Sequence, residues 1–381
     1  MDFSLTASQV ESGEAVARFA RDTLNGDVVH ADRHCLFSDD LWTACADFGV
    51  FRWHAPVDQG GDGLGYFDTT LRLEALGYGC EDNGLGFAVA AQIWAVQTAL
   101  IQFGSAAQHE RYLPGMLSGT TKACFAITES GSGSDAFALH TTAVKDGSDY
   151  LITGEKRLIT MAPEADVALV FAVTNPSAGQ WGVSAFLVDT DSPGVTRHSN
   201  DPKMGLRTVP FGSLTLDRVR VPADALVARE GAGCSIFNHA QMHERSLVLA
   251  PQVGAMRRQL ESAIAFANTR ERAGTPIGQH QSVSNRIADM AIRLDTCQLL
   301  LYRNACALDA GKHSLRESAI TKTVLSEAFV KSSQEAIAIH GGLGYTTDAG
   351  VERDLRDAVG ATLYGGTVDI QRNIIARMHG L

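Results

Sequence analysis

The chain has 381 residues, of which 45% are hydrophobic and 20% charged, and its formal net charge is -11 at pH 7. This length and composition are typical of a globular protein with more than one domain. The negative charge, without a Lys/Arg-rich run, argues against nucleic acid or an anionic membrane as a partner. Seven scattered cysteines without metal-ligand spacing predict no metal site and a reducing compartment. No apolar stretch of membrane-spanning length and no signal segment are recognised, so we expect a cytoplasmic protein.

The predicted elements fall into three successive blocks. Residues 1–118 indicate helices separated by glycine-rich breaks. Residues 119–228 carry short β-branched and aromatic runs between turn residues, which predicts a β-domain of small barrel or sandwich type. Residues 229–381 return to long helical periods. Strands are expected at 123–127, 150–153, 167–173, 183–188 and 214–221, and long helices at 257–269, 283–308 and 314–340.

A loop rich in glycine and serine, residues 126–135, follows the first predicted strand. Its hydroxyls and exposed backbone N–H groups suit the pyrophosphate of a cofactor. An isolated motif of this kind is more commonly a solvent-exposed turn. Its position at the front of a β-domain, between two helical blocks, favours the cofactor interpretation.

Two further sites carry chemistry in the C-terminal block. Glu244 and Arg245 lie within a long helical pattern, and Pro251 is expected to kink that helix or open its hydrogen bonding. Near the end of the chain, 364–367 has the sequence Tyr-Gly-Gly-Thr. A glutamate in a helix is ordinarily a surface residue, so Glu244 on its own is not evidence for a catalytic base.

Together with segments 204–207, 270–277 and 340–345, these motifs resemble the acyl-CoA dehydrogenase family, over almost the whole chain. Enzymes of that family oxidise acyl thioesters with FAD. The resemblance implies an α+β multi-domain protein with an N-terminal helical domain, a flavin-contacting middle β-domain and a C-terminal four-helix bundle. These would occupy 1–118, 119–228 and 229–381. It also implies a homotetramer, a dimer of dimers.

The resemblance assigns FAD contacts to residues of several of these motifs, and none to 204–207. Thr128 would bind the flavin ring and Ser134 the pyrophosphate, whereas Arg270 and Gln281 would reach the FAD of a neighbouring subunit. Leu158 stands where the family usually has tryptophan, which leaves the electron acceptor open between oxygen and an electron-transfer flavoprotein. The implied FAD-contact residues are Phe125, Ile127, Thr128, Gly133, Ser134, Leu158, Thr160, Arg270, Gln281, Gly341, Gly342, Thr367 and Asp369.

The family's usual catalytic base is absent from this chain. Its Tyr-Glu-Gly-Thr motif supplies the base from the glutamate, and here that position is Gly365. Glycine keeps the backbone N–H that the family uses to bind the thioester oxygen. In members that act on branched or long acyl groups, the base occupies the position matching Glu244, so the resemblance assigns the base to Glu244. The implied substrate pocket consists of Met242, Arg245, Tyr364 and Gly366.

The stretch 244–308 looks closest to a branch that oxidises prolyl groups on a peptidyl carrier protein, often to pyrrolyl, in natural-product pathways. Three alternatives stay open: another carrier-bound extender unit, a branched short-chain acyl-CoA, and a flavin-binding scaffold without dehydrogenase activity. CoA and carrier proteins share the pantetheine arm, so the sequence does not separate them. It also leaves open whether one or two oxidations occur.

Overall fold

The structure is a computed structural model that describes residues 4–199, 201–312 and 315–381. Its N-terminal part is helical, as predicted. Hydrogen bonding explains where some of these helices begin: Thr6 and Ser105 each form a reciprocal cap with a glutamine three residues later. The helices are α1 (Ala7–Thr23), α2 (Val28–His34), α3 (Asp39–Asp47), α4 (Tyr66–Gly79), α5 (Asn83–Ala91), α6 (Thr98–Phe103) and α7 (Ala106–Leu117), and a π-helical segment (Gln92–Gln97) joins α5 to α6.

The segment Asn83–Phe103 is long and apolar enough to cross a membrane, with a mean hydropathy of 1.5. The sequence expectation that no such stretch exists is therefore wrong. In the structure, 89% of this window is buried within the fold. A buried core helix passes the same test of length and composition as a membrane span, and this segment is packed as a core helix is.

The middle region is one seven-stranded sheet of order β1-β4-β2-β3-β7-β6, with β5 paired to β4. Five of its strands correspond to predicted ones, whereas β2 and β6 were not expected. These two are short and partly polar, so they lack the β-branched run that marks the others. The strands are β1 (Ala123–Ala126), β2 (Thr142–Asp146), β3 (Asp149–Thr160), β4 (Val167–Val173), β5 (Val183–Asp189), β6 (Val195–Arg197) and β7 (Phe211–Val221).

The C-terminal region contains the predicted long helices. The expected effect of Pro251 is confirmed: one helix ends at Leu247, and the next begins at Ala250 with the proline in its first turn, where a missing N–H is tolerated. Ser314, the predicted start of one helix, lies outside the described residues. The elements are α8 (Gly233–Leu247), α9 (Ala250–Thr269), the hairpin strands β8 (Glu271–Arg272) and β9 (Thr275–Pro276), α10 (Gln281–Asp309), α11 (Leu315–His340), α12 (Val351–Ala361) and α13 (Val368–Met378).

A close helix crossing fixes this bundle against the N-terminal helices. A Cβ atom at Gly77 of α4 would lie 2.0 Å from the Pro251 carbonyl oxygen, and one at Gly254 of α9 would lie 2.0 Å from that of Glu74. Only glycine allows the two backbones to approach so closely. Because α8 directly precedes α9, this crossing also helps to set the position of Glu244.

Candidate active site

Glu244 lies near the C-terminal end of α8 and is half-buried. The side-chain amide of Gln241, one turn earlier, donates a hydrogen bond to its carboxylate. Burial raises the pKa of Glu244 above its ordinary value, while the charges of Lys322 and Arg245 and the bond from Gln241 oppose that rise. A carboxylate with a raised pKa is a better proton acceptor near neutral pH.

The turn after α12 presents two glycines with positive φ, 62° at Gly365 and 84° at Gly366. A Cβ atom at Gly366 would lie 2.8 Å from Nε2 of Gln371, so a side chain at this position would have to displace the Gln371 amide. At Gly365 the nearest atom to such a Cβ is the Cα of Arg245, at 3.7 Å, which is ordinary contact. The absence of a side chain at Gly365 is therefore a matter of backbone conformation and not of crowding.

Donors from two helices hold the carbonyl groups of this turn. Arg245 Nε donates to the Gly365 oxygen at 3.3 Å, and Gln371 Nε2 donates to the same oxygen at 3.1 Å. Gln371 Nε2 also lies 2.9 Å from the Gly366 oxygen. Arg245, the residue next to Glu244, thus binds the carbonyl group of Gly365, whose N–H is the predicted donor to the thioester oxygen. The structure therefore brings the two predicted catalytic segments together.

Tyr364 connects this turn to the N-terminal helices. Its hydroxyl accepts a hydrogen bond from Gln252 Nε2 at 2.6 Å, and its ring centroid lies 4.5 Å from that of Phe87 on α5. Burial raises the pKa of Tyr364, so the hydroxyl stays neutral. Met242, also predicted in the pocket, is half-buried on α8, and its carbonyl oxygen accepts the Ser318 hydroxyl at 3.1 Å.

Lys322 is a site residue that the sequence reasoning missed. It lies on α11 with its side chain fully buried, and its Nζ donates to the carbonyl oxygen of Tyr364. Burial lowers the pKa of Lys322 to about 7, an effect that Glu244 opposes and Arg245 reinforces. A signal was present in the sequence, because Lys322 falls at helical spacing from the buried Ala319 and Phe329 and so occupies a core position.

In the middle domain, the predicted flavin loop is closed at its base by Glu129. The carboxylate accepts the backbone N–H groups of His140 at 2.6 Å and Thr141 at 3.0 Å, and the ammonium group of Lys156 at 2.7 Å. Both charged side chains are buried. Between these residues Gly133 and Ser134 are exposed, whereas Ser132 is buried and Phe137 and Leu139 pack against the core.

The two predicted flavin motifs of this domain are adjacent. Arg157 N–H donates to the Thr128 oxygen at 2.8 Å, so β3 lies beside the loop, and Thr160 ends that strand. Leu158, on the same strand, has a φ of 57° and is 56% exposed. A large apolar side chain held outward on a strained backbone is typical of a ligand-contacting position. Phe125 is half-buried on β1, and Ile127, the residue that follows this strand, is buried.

The residues present fit FAD. Thr128 and Ser134 in the loop and Thr160 at the end of β3 supply hydroxyl groups. At Gly133, Gly341 and Gly342 nothing lies within 4 Å of a built Cβ, so a ligand can approach the backbone there. The Gly341 N–H already donates to the Ile337 oxygen at 2.9 Å, so the open backbone at Gly133 and Gly342 is the part that suits a pyrophosphate. Among the described residues there is no group of three or more His, Cys, Asp or Glu side chains placed to hold a metal ion.

A second set of predicted FAD contacts lies elsewhere in the C-terminal region. Arg270 follows α9 and Gln281 begins α10, and both are exposed. The guanidinium group of Arg270 makes no ion pair with any residue of the described ranges. Thr367 caps α13 by accepting the Ile370 N–H at 3.3 Å, and Asp369 is exposed in the first turn of that helix. In the part of the chain that the structure describes, no hydrogen bond joins Arg270 or Gln281 to the flavin loop.

Family models match the chain along nearly its whole length. They are described as acyl-CoA dehydrogenase N-terminal domain, over residues 6–120, middle domain, over 124–219, and C-terminal domain, over 231–379. The chain therefore belongs to the acyl-CoA dehydrogenase family and is an FAD-dependent oxidoreductase with the three-domain architecture of that family. The predicted family, fold class and cofactor are confirmed.

Comparison with individual proteins identifies members of the family that this chain resembles. The chain is 38% identical, over 100% of its length and 99% of the relative, to an L-prolyl-[peptidyl-carrier protein] dehydrogenase from a Serratia species. It superposes on the crystal structure of the prolyl acyl carrier protein oxidase AnaB with a TM-score of 0.98, at 39% identity, covering 99% of this chain and 100% of that one. The structure of PigA with FAD and proline gives a TM-score of 0.97 at 37% identity, with full coverage of both chains.

Proposed function

We propose that this enzyme oxidises an L-prolyl group, held as a thioester on a peptidyl carrier protein, towards a pyrrolyl group in natural-product biosynthesis. The observation that carries the proposal is Glu244. It is a half-buried carboxylate with a raised pKa, and it lies beside a turn that has glycine where the family usually has its base. The similarity to enzymes named for prolyl-carrier proteins supports the choice of substrate.

The central residues of the predicted site then have the following roles. Glu244 takes the proton from the carbon next to the thioester carbonyl, and the Gly365 N–H donates to the carbonyl oxygen as negative charge develops there. Thr128, Ser134 and Thr160 hold FAD from the middle domain. When bound, FAD supplies the acceptor for the hydride that leaves the adjacent carbon.

The missing side chain at Gly365 supports a cyclic or branched substrate. Without a side chain, Gly365 leaves free the space in which a glutamate would stand, and a Cβ there would meet only Arg245 and Lys322 within 4 Å. The preceding residue, Tyr364, is held by its ring contact with Phe87. We infer that the bulk absent at Gly365 gives room for a ring or a branched group beside the reacting carbons.

The same proposal includes the assembly. We infer a homotetramer, a dimer of dimers, in which Arg270 and Gln281 reach the FAD of a neighbouring subunit. Their exposure, and the lack of any ion pair to Arg270 in the described ranges, support this role. We place the enzyme in the cytoplasm and divide its domains after residues 118 and 228.

The experiment is an anaerobic mixing of the FAD-loaded enzyme with L-prolyl-carrier protein. We expect the flavin absorbance to bleach and the product to lose two hydrogens by mass for each FAD that is reduced. The control substrates are prolyl-CoA, a branched short-chain acyl-CoA and another carrier-bound extender unit. Bleaching by one of these and not by prolyl-carrier protein would reject the substrate, and no bleaching by any of them with FAD bound would reject the enzyme class.

A further inference from the structure

The ammonium group of Lys322 is bound to the peptide that carries the predicted oxyanion donor. Its Nζ donates to the Tyr364 oxygen and lies 4.7 Å from the centroid of the Tyr364 ring. It would also lie 3.8 Å from a Cβ at Gly365. A fully buried lysine is costly unless its charge has a use or a partner, and here the neighbouring charges are Glu244 and Arg245.

The geometry of the peptide bond links Lys322 to the proposed chemistry. In a trans peptide, the C=O of one residue and the N–H of the next point in opposite directions. The described residues contain no cis peptide bond, so the Tyr364 oxygen and the Gly365 N–H are the two ends of one rigid unit. Any donor that fixes the oxygen also fixes the direction of the N–H.

The adjoining peptides are held in the same manner but by other donors. Arg245 and Gln371 bind the Gly365 oxygen, and Gln371 also binds the Gly366 oxygen. The Tyr364 oxygen receives Lys322 alone among the hydrogen bonds of the described residues. Two successive glycines with positive φ make this turn intrinsically variable, so its orientation depends on such contacts.

We propose that Lys322 is a positioning residue which, by binding the Tyr364 carbonyl, orients and polarises the Gly365 N–H that receives the thioester oxygen. A cation at the carbonyl end of a peptide draws electron density from the N–H end and makes it a stronger donor. The oxyanion donor is thereby fixed before the substrate binds. Such a donor stabilises the transition state more strongly because it does not have to reorient during the reaction. The inference rests on the proposed function, because it takes the N–H of Gly365 as the donor to a thioester.

The main readout is the carbonyl stretch of a bound, ¹³C-labelled prolyl thioester on its carrier protein. Glu244→Gln holoenzyme is the background, since it slows turnover and removes the carboxylate that Lys322 also faces. There we expect the stretch to lie below that of free prolyl-carrier protein, and Lys322→Met to remove at least about half of the shift, since a misplaced donor polarises the carbonyl less. Lys322→Arg, which keeps a cationic donor, restores it.

With Glu244 intact, Lys322→Met lowers the flavin-reduction rate on the order of 100-fold, as the loss of an oxyanion donor does. Lys203→Met is the matched control, since Lys203 also donates to backbone carbonyls, those of Leu206 and Val209, but in a different loop. An unchanged carbonyl shift in Lys322→Met overturns the proposal, even if the rate falls, because Lys322 would then act on Glu244. If Lys322→Met does not fold, Lys322→Gln replaces it, because glutamine is a donor without charge. A Lys322→Gln variant that keeps the full carbonyl shift would reject the claim that the charge of Lys322 polarises the Gly365 N–H.

The positioning claim can also be separated from the proposed function. If wild-type enzyme with FAD is not reduced by prolyl-carrier protein, the proposed substrate fails. The crystal structure of Lys322→Met holoenzyme then decides the positioning claim without any substrate. We expect the Tyr364–Gly365 peptide to rotate relative to wild type, and an unrotated peptide overturns the claim.

Discussion

Arg245 Nε lies 3.3 Å from the carbonyl oxygen of Gly365. The residue that follows the proposed base in sequence therefore holds the turn from which the family's usual base is missing. Because α8 and this turn are joined by a side chain, the position of Glu244 and the direction of the turn are set together. The proposed base on α8 therefore acts in a site that keeps the backbone N–H of Gly365 as the donor to the thioester oxygen.

Replacement of Glu244 tests the base directly. We expect Glu244→Gln to bind FAD normally and to lower the rate of flavin reduction by about 100-fold to 10,000-fold, since a positioned base contributes that much. The measurement is rapid anaerobic mixing with prolyl-carrier protein. Glu11→Gln, at an exposed position on α1, is the control and should reduce at the wild-type rate. A Glu244→Gln variant that turns over normally would assign the base elsewhere.

The pH dependence of the same step has a defined sign. Glu244 accepts a proton only when ionised, and burial raises its pKa above the ordinary 4.5. Flavin reduction should therefore be slow at low pH and rise through a midpoint above that value, and it should fall again at higher pH as Lys322, whose pKa burial lowers to about 7, loses its charge. The residual rate of Glu244→Gln should lack the rising limb. A wild-type rate that does not change between about pH 5 and 8 would contradict the assignment of the rising limb to Glu244.

Arg270 provides a test of the proposed assembly. The side chain is exposed and makes no ion pair in the described part of the chain, so its loss should cost the subunit little stability. We expect Arg270→Ala to weaken FAD binding roughly tenfold or more, the equivalent of one charge-assisted contact of about 1.5–3 kcal/mol. Titration of apo-enzyme with FAD measures this. Arg272→Ala, in the same hairpin, is the matched control, and equal FAD affinity in both variants would count against a role for Arg270.

The backbone at Gly365 predicts a separate effect on stability. Its φ of 62° disfavours any L side chain, although a Cβ would have ordinary space there. We expect Gly365→Ala to lower the free energy of unfolding by about 1–2 kcal/mol, through conformational strain alone. Gly26→Ala, where nothing lies within 4 Å and φ is not positive, should be neutral. Chemical denaturation of the two holoenzymes compares them, and equal stabilities would show that the turn relaxes.

The sequence predicted the order of helices, strands and helices because periodicity and turn residues are local signals. It placed Glu244 and Gly365 in one site only through family resemblance, since 120 residues separate them and no local pattern links them. Lys322 was missed because a charged residue among buried apolar residues of a helix can be assigned a role only once its partner in the fold is known. The Tyr364 carbonyl is that partner.

The buried pair of Glu129 and Lys156 predicts how acid affects the flavin loop. Burial raises the pKa of Glu129, but the bonds from Lys156, Thr141 and His140 outweigh it and leave the pKa below its ordinary value. A carboxylate with a depressed folded-state pKa adds stability above its unfolded pKa and loses it as pH falls through the folded one. The loop should therefore loosen, and FAD dissociate, below about pH 4.5.

Substitution of this pair separates its charge from its packing. Glu129→Gln leaves a buried ammonium without its carboxylate and should lower the free energy of unfolding by about 3–5 kcal/mol. The double variant Glu129→Gln/Lys156→Met removes both charges and should recover part of that loss, because no charge is then stranded. Denaturation and FAD release of the three proteins give the comparison. A double variant no more stable than Glu129→Gln would mean that the backbone bonds to Glu129, and not its ion pair with Lys156, hold the loop in place.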